Sequence, residues 1–106
     1  MSVYTENTVI YALTTTLSNA YVLSNTACVL STIQAVNTNS ITQAFTVNYN
    51  YNGQTVPIVN NISLMPYSAV NCITGKYMMK QGGYMTAVAS ANNSIQISFS
   101  GMERTN

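Results

Sequence analysis

The stretch Gln43 to Tyr51 alternates without a break. Phe45, Val47, Tyr49 and Tyr51 fall on one side, and Ala44, Thr46, Asn48 and Asn50 on the other. A period of two is that of a strand whose faces differ, so the pattern predicts a half-buried β-strand. Asn52-Gly53 follows. Both central positions of a type I′ turn need φ > 0, which Asn and Gly tolerate, so the chain reverses here. Gln54 to Val59 then returns, and Pro57 places it at a sheet edge or bulge, because proline has no N–H to give to a ladder. The result is an antiparallel hairpin with Asn52-Gly53 at its tip.

The rest of the chain repeats this grammar more loosely. Segments rich in Thr, Val, Ile and Tyr are separated by Asn, Ser and Gly clusters. Thr8 to Thr16 reads as a first strand, with Val9, Tyr11 and Leu13 on one face. Ser18-Asn19 and Ser24-Asn25 read as turns around a short strand at Tyr21-Val22-Leu23. Ala27 to Val36 is apolar enough to predict a central strand covered on both faces. After the hairpin, Asn60-Asn61 reads as a turn into Ile62 to Leu64, and Pro66 breaks that segment. Tyr67 to Ile73, Tyr77 to Met79 and Tyr84 to Ser90 are further strands. Ser94 to Met102 is the last, with Ile95, Ile97 and Phe99 inward. The expectation is an all-β fold: a single two-sheet β-sandwich, immunoglobulin-like or jelly-roll, of seven to nine short antiparallel strands. Residues 1–7 are expected as an extended N-terminal arm, 8–103 as the β-sandwich domain and 104–106 as a C-terminal tail.

Composition bounds what such a sandwich can do. Ser, Thr and Asn supply 39 of the 106 residues, whereas only five side chains are charged. A typical globular domain carries about 25% charged residues. The surface must therefore be hydroxyls, amides and exposed apolar atoms, with little self-repulsion to keep copies apart. Leu, Ile, Val and Phe number 25, enough for one modest core.

Reactive chemistry is hard to assemble from this inventory. There is no His and no Asp, and the two carboxylates, Glu6 and Glu103, lie in the terminal segments, where they read as solvated end charges. The chain is expected to be no enzyme, with no catalytic residues, no metal site and no cofactor. Cys28 and Cys72 stand 44 residues apart and are expected as buried, reduced thiols acting as small hydrophobes. Three basic residues, Lys76, Lys80 and Arg104, supply no footprint for nucleic acid. Lys76 and Lys80 bracket Tyr77-Met78-Met79 and read as guards of an edge strand. No apolar run approaches the roughly 20 residues of a membrane helix. The first residues carry neither basic flank nor apolar core of a signal peptide. The expected setting is assembly in a cytoplasm, away from membranes.

Five residues stand out as candidate contacts with other subunits: Val3 and Tyr4 as a hydrophobic hook on the arm, and Tyr77, Met78 and Met79 on a Tyr- and Met-bearing strand. Ordering an arm costs about 1–2 kcal/mol per residue, which a neighbouring subunit would have to repay by burial.

Several stretches together resemble small virion proteins of tailed bacteriophages, especially marine ones. These are the opening Asn7-Thr8-Val9-Ile10-Tyr11-Ala12, the apolar Val29 to Asn37 and the hairpin Phe45 to Val59. Late in the chain come Met79-Lys80-Gln81-Gly82-Gly83, Ala87-Val88-Ala89-Ser90 and Ser100-Gly101-Met102-Glu103. The resemblance spans nearly the whole chain; Gly83 stands where those proteins usually carry Asp. It implies a β-sandwich structural protein of the virion, present as a homo-oligomer or in many copies. The partners implied are other virion proteins, either the major capsid protein or neck and tail subunits. An accessory capsid decoration (cement) protein is the leading expectation. A head–tail neck or adaptor, tail or fibre-attachment component, or a carbohydrate- or host-surface-binding module, is the alternative.

Overall fold

The computed structural model describes residues 3–23 and 25–105. Met1, Ser2 and Asn106, and Ser24 of the expected Ser24-Asn25 turn, lie outside the described residues. Nine strands follow one another: β1 (Val3–Ala12), β2 (Ser18–Val22), β3 (Ala27–Asn37), β4 (Gln43–Tyr51), β5 (Gln54–Leu64), β6 (Ala69–Asn71), β7 (Tyr77–Lys80), β8 (Tyr84–Ala89) and β9 (Ile95–Thr105). They form two antiparallel sheets. One has the order β1-β9-β3-β6, with β7 also on β3, and the other β2-β8-β4-β5.

The hairpin is the root of this arrangement. Asn52 and Gly53 have φ of 53° and 76°, as a type I′ turn requires. From that tip the chain pairs with itself in nested order: β4 with β5, β3 with β6 and β7, β2 with β8, β1 with β9. One long hairpin wound over on itself into two sheets is a jelly roll. The topology therefore decides between the two sandwich types left open by the sequence.

The core lies between the sheets. Phe45 and Val47 of β4 face Ile33 of β3 and Ile97 and Phe99 of β9, all of them buried. Tyr21 meets Phe99 edge-on, with ring centroids 5.5 Å apart.

Several sequence expectations need correction. Val3 to Asn7, expected as an arm, make up the first half of β1, because β9 runs on to Thr105 and pairs with them in an unbroken register from Val3↔Thr105 to Ala12↔Gln96, taking up the backbone groups of alternate residues. Arg104 and Thr105, expected as tail, belong to that same ladder. β3 is central but covered on one face only: Cys28, Leu30, Ile33 and Ala35 are buried, whereas Ser31 and Gln34 are exposed. Asn60-Asn61 does not turn the chain. Asn61 takes φ 53°, and β5 continues past it to pair Ile62 with Phe45.

Candidate assembly surface

The outward face of the β1-β9-β3-β7 sheet holds an open groove of about 360 Å³. Register explains its lining. Tyr4 of β1 lies opposite Arg104 of β9, Arg104 opposite Ala27 of β3, and Met102 opposite Val29, which is in turn opposite Met78 of β7. Alternation sends all of these away from the core. Tyr4 is 60% exposed, Met78 70% and Met102 40%. Lys76 and Arg104 supply positive charge at the walls, and Arg104 Nε is buried without a hydrogen-bond partner. Gly101 forms part of the floor, where β3 shifts register between Leu30 and Thr32. A Cβ on Gly101 would come within 2.2 Å of the Val29 carbonyl oxygen, so only glycine permits this approach.

Of the five expected contact residues, the structure brings Tyr4 and Met78 into this one groove. Val3 is exposed at the start of β1 but, as Tyr4's neighbour in the strand, turns to the opposite face and does not line the groove. Tyr77 is half-buried and packs edge-on against Tyr49 at 5.4 Å. Met79 is corrected outright: it is fully buried in the core, because it neighbours Met78 on β7 and so points to the opposite face. Met102 and Arg104 are the groove residues that sequence reasoning missed. The signal was present, since continuing the alternation of Ile95, Ile97 and Phe99 past Phe99 puts both on the outer face.

The same alternation places Glu103 inward. It is 7% exposed, so its reading as a solvated end charge is corrected. Its carboxylate accepts hydrogen bonds from Asn7 Nδ2 (2.7 Å), from Asn25 Nδ2 and from the Tyr21 hydroxyl. Burial pushes the Glu103 carboxyl up, but the donors Tyr21, Asn7 and Asn25 outweigh it and hold the group below its ordinary value. Burial and the bond to Glu103 raise Tyr21 well above the ordinary phenol range. Tyr21 belongs to β2 and Glu103 to β9, so this contact ties one sheet to the other.

Both cysteines are free. Cys28 is buried as expected, and its Sγ lies 3.5 Å from the Tyr21 hydroxyl. Cys72 is only partly buried, with its thiol pushed up to about 11 by desolvation. Among the described residues no three His, Cys, Asp or Glu side chains gather to hold a metal ion. Among the described residues no helix is long and apolar enough to cross a membrane. At Gly83, a side chain would have to displace the Tyr49 ring, because a Cβ would lie 2.6 Å from its hydroxyl. That hydroxyl accepts from the Lys80 N–H at 3.0 Å.

No family model matches the chain, and no curated protein matches it. Among solved structures it is similar to a chain from the work describing Bacillus endospore appendages as a novel family of disulfide-linked pili. That likeness has a TM-score of 0.56 at 12% identity and covers 99% of this chain and 88% of the other. What the two share is the fold.

Proposed function

We propose that this chain is a structural subunit that works in many copies, as an accessory capsid decoration protein of a bacteriophage virion. The observation that carries the many-copy reading is the groove of Tyr4, Met78 and Met102 on a sandwich with five charged residues. Only Lys76 and Arg104 charge that groove, so repulsion between subunits is small, and its apolar atoms gain by being covered. The mechanism is passive: weak contacts repeated over a lattice sum to a firm attachment. The virion assignment rests on the sequence resemblance.

A second reading, a subunit of an extracellular fibre, is favoured by the pilus chain that shares this fold. Quantitative mass spectrometry of gradient-purified phage particles tests the assignment. The decoration reading expects the chain to co-sediment at a copy number comparable to the major capsid protein. Absence from the particles, or recovery only in a filamentous fraction, overturns it.

A further inference from the structure

Every open sheet presents unpaired N–H and C=O groups along its edge strands, and proteins guard such edges. Three of the four edges here are guarded. β2 has five residues and shifts register between Asn19 and Tyr21. The β6 and β7 edge is two short pieces, with Lys76 just before β7 and Lys80 at its end. β5 carries Pro57 and breaks its register against β4 between Phe45 and Asn48. β1 differs. It is ten residues long, with no Pro, Gly, Lys or Arg and no register shift.

The hydrogen-bond phase of β1 is set by the Leu13 N–H, which donates to the Ile95 carbonyl at 2.8 Å. Alternation along the antiparallel ladder then commits Val3, Thr5, Asn7, Val9 and Tyr11 to β9. Tyr4, Glu6, Thr8 and Ile10 direct their backbone groups out of the sheet. These four also carry the exposed side chains of the outer face, with Ile10 72% exposed.

We propose that β1 is where a second copy of this chain adds, β1 against β1 and antiparallel, with a two-fold axis at Asn7. The proposal rests on the many-copy reading above and names the contact that reading leaves open. The occupant follows from self-complementarity. With the axis at Asn7, Tyr4 of each copy lies opposite Ile10 of the other, and Glu6 opposite Thr8. The two large apolar side chains that a single copy leaves exposed then cover one another twice, by symmetry. Moving the axis to Glu6 sets the two carboxylates face to face, which is unfavourable. Moving it to Thr8 sets Tyr4 against Ala12 and Ile10 against Glu6, which loses the apolar pairing. A ladder of this length buries less than the roughly 1,200–2,000 Å² of a stable complex. One such contact is therefore weak and gains strength when repeated in an assembly.

Sedimentation equilibrium of the full chain and its Thr8→Pro variant tests this. Proline at residue 8 removes a donor from the free edge and leaves the β9 ladder intact. The expected result is an unchanged circular dichroism spectrum and association weakened at least ~10-fold. Ile10→Lys, which puts a charge on the same edge, gives the same reading should the proline variant fail to fold. In a Glu6→Cys/Thr8→Cys variant, the facing positions lie about 5.5 Å apart between Cα atoms, within disulfide reach. Mild oxidation should then yield a covalent dimer, whereas a Gln54→Cys/Val56→Cys control on β5 stays monomeric. Wild-type association that Thr8→Pro and Ile10→Lys leave unchanged overturns the β1 contact while the many-copy reading stands. A failure of the Glu6→Cys/Thr8→Cys variant to cross-link also overturns it.

Discussion

The two ends of this sandwich are closed by different chemistry. At the end where β3 begins, Cys28 lies opposite Glu103, and a buried carboxylate gathers Asn7, Asn25 and Tyr21 around it. At the end where β3 finishes, Asn37 does the equivalent work with a neutral amide. Its Nδ2 donates to the carbonyls of Ile41 and Leu64, each at 3.0 Å, and its Oδ1 accepts from the Asn39 N–H at 2.9 Å. Both residues are buried, and each satisfies polar groups where a strand runs out. A charge accepts stronger bonds than an amide but ties the closure to pH. One end of the molecule should therefore respond to acid, and the other should not.

The largest expected effect tests the charged end. Glu103→Ala removes one acceptor from three donors and should cost about 3 kcal/mol in chemical denaturation. A loss under about 1 kcal/mol would mean that the cluster contributes little. Asn37→Ala should cost about 2 kcal/mol, because the Asn39 N–H loses its acceptor and the Ile41 and Leu64 carbonyls lose their donor.

Acid separates the ends more sharply. The folded Glu103 carboxyl sits below its ordinary value, so its contribution is present above the unfolded pKa of about 4.3 and fades as pH falls through the folded value. The denaturation midpoint of wild type and of Asn37→Ala should fall in parallel below about pH 4. That of Glu103→Gln should start lower and fall less. Equal acid slopes in all three would refute a special role for the carboxylate. On the alkaline side Tyr21, Cys28 and Cys72 are all held neutral by burial. Stability should therefore also decline as pH rises past the ordinary thiol range, about 8.5.

Tyr21→Phe is a smaller test, since it deletes only the hydroxyl that bridges the sheets. It should cost about 1–1.5 kcal/mol and leave the ring packing on Phe99 in place. The smallest effect lies at the neutral end and has the opposite sign. Tyr67 sits at φ 57° in a turn closed by the Ser68 N–H on the Met65 carbonyl, where a side chain is disfavoured. Tyr67→Gly should stabilise by roughly 0.5 kcal/mol in the same assay.

Much of this architecture could be read before any coordinates. The strand Gln43 to Tyr51 and its Asn52-Gly53 turn were legible because the turn type demands those residues and the alternation has one solution. The faces of β9 were legible from Ile95 to Phe99 for the same reason. What failed was reasoning at the ends of elements. Glu103 looked like a solvated terminus because charge is a strong local cue, and only the alternation carried four residues past Phe99 places it inside. Val3 to Asn7 looked like an arm because their own apolar content is small. Their order comes from β9, some ninety residues away in sequence, through a ladder that no local pattern encodes. Met79 was misplaced by treating Tyr77-Met78-Met79 as one surface, when adjacent residues in a strand face opposite ways. The groove needs four strands in register, and so only its ingredients were visible in the sequence.

The central claim is that this chain is built to meet copies of itself. Sedimentation velocity of the full wild-type protein tests it most directly, over concentrations from about 10 µM to 1 mM at neutral pH and moderate salt. The weight-average sedimentation coefficient should rise with concentration. The rise should persist at high salt, because apolar pairing and backbone hydrogen bonds supply most of the contact and few charges take part. A single monomeric boundary at every concentration would contradict the account.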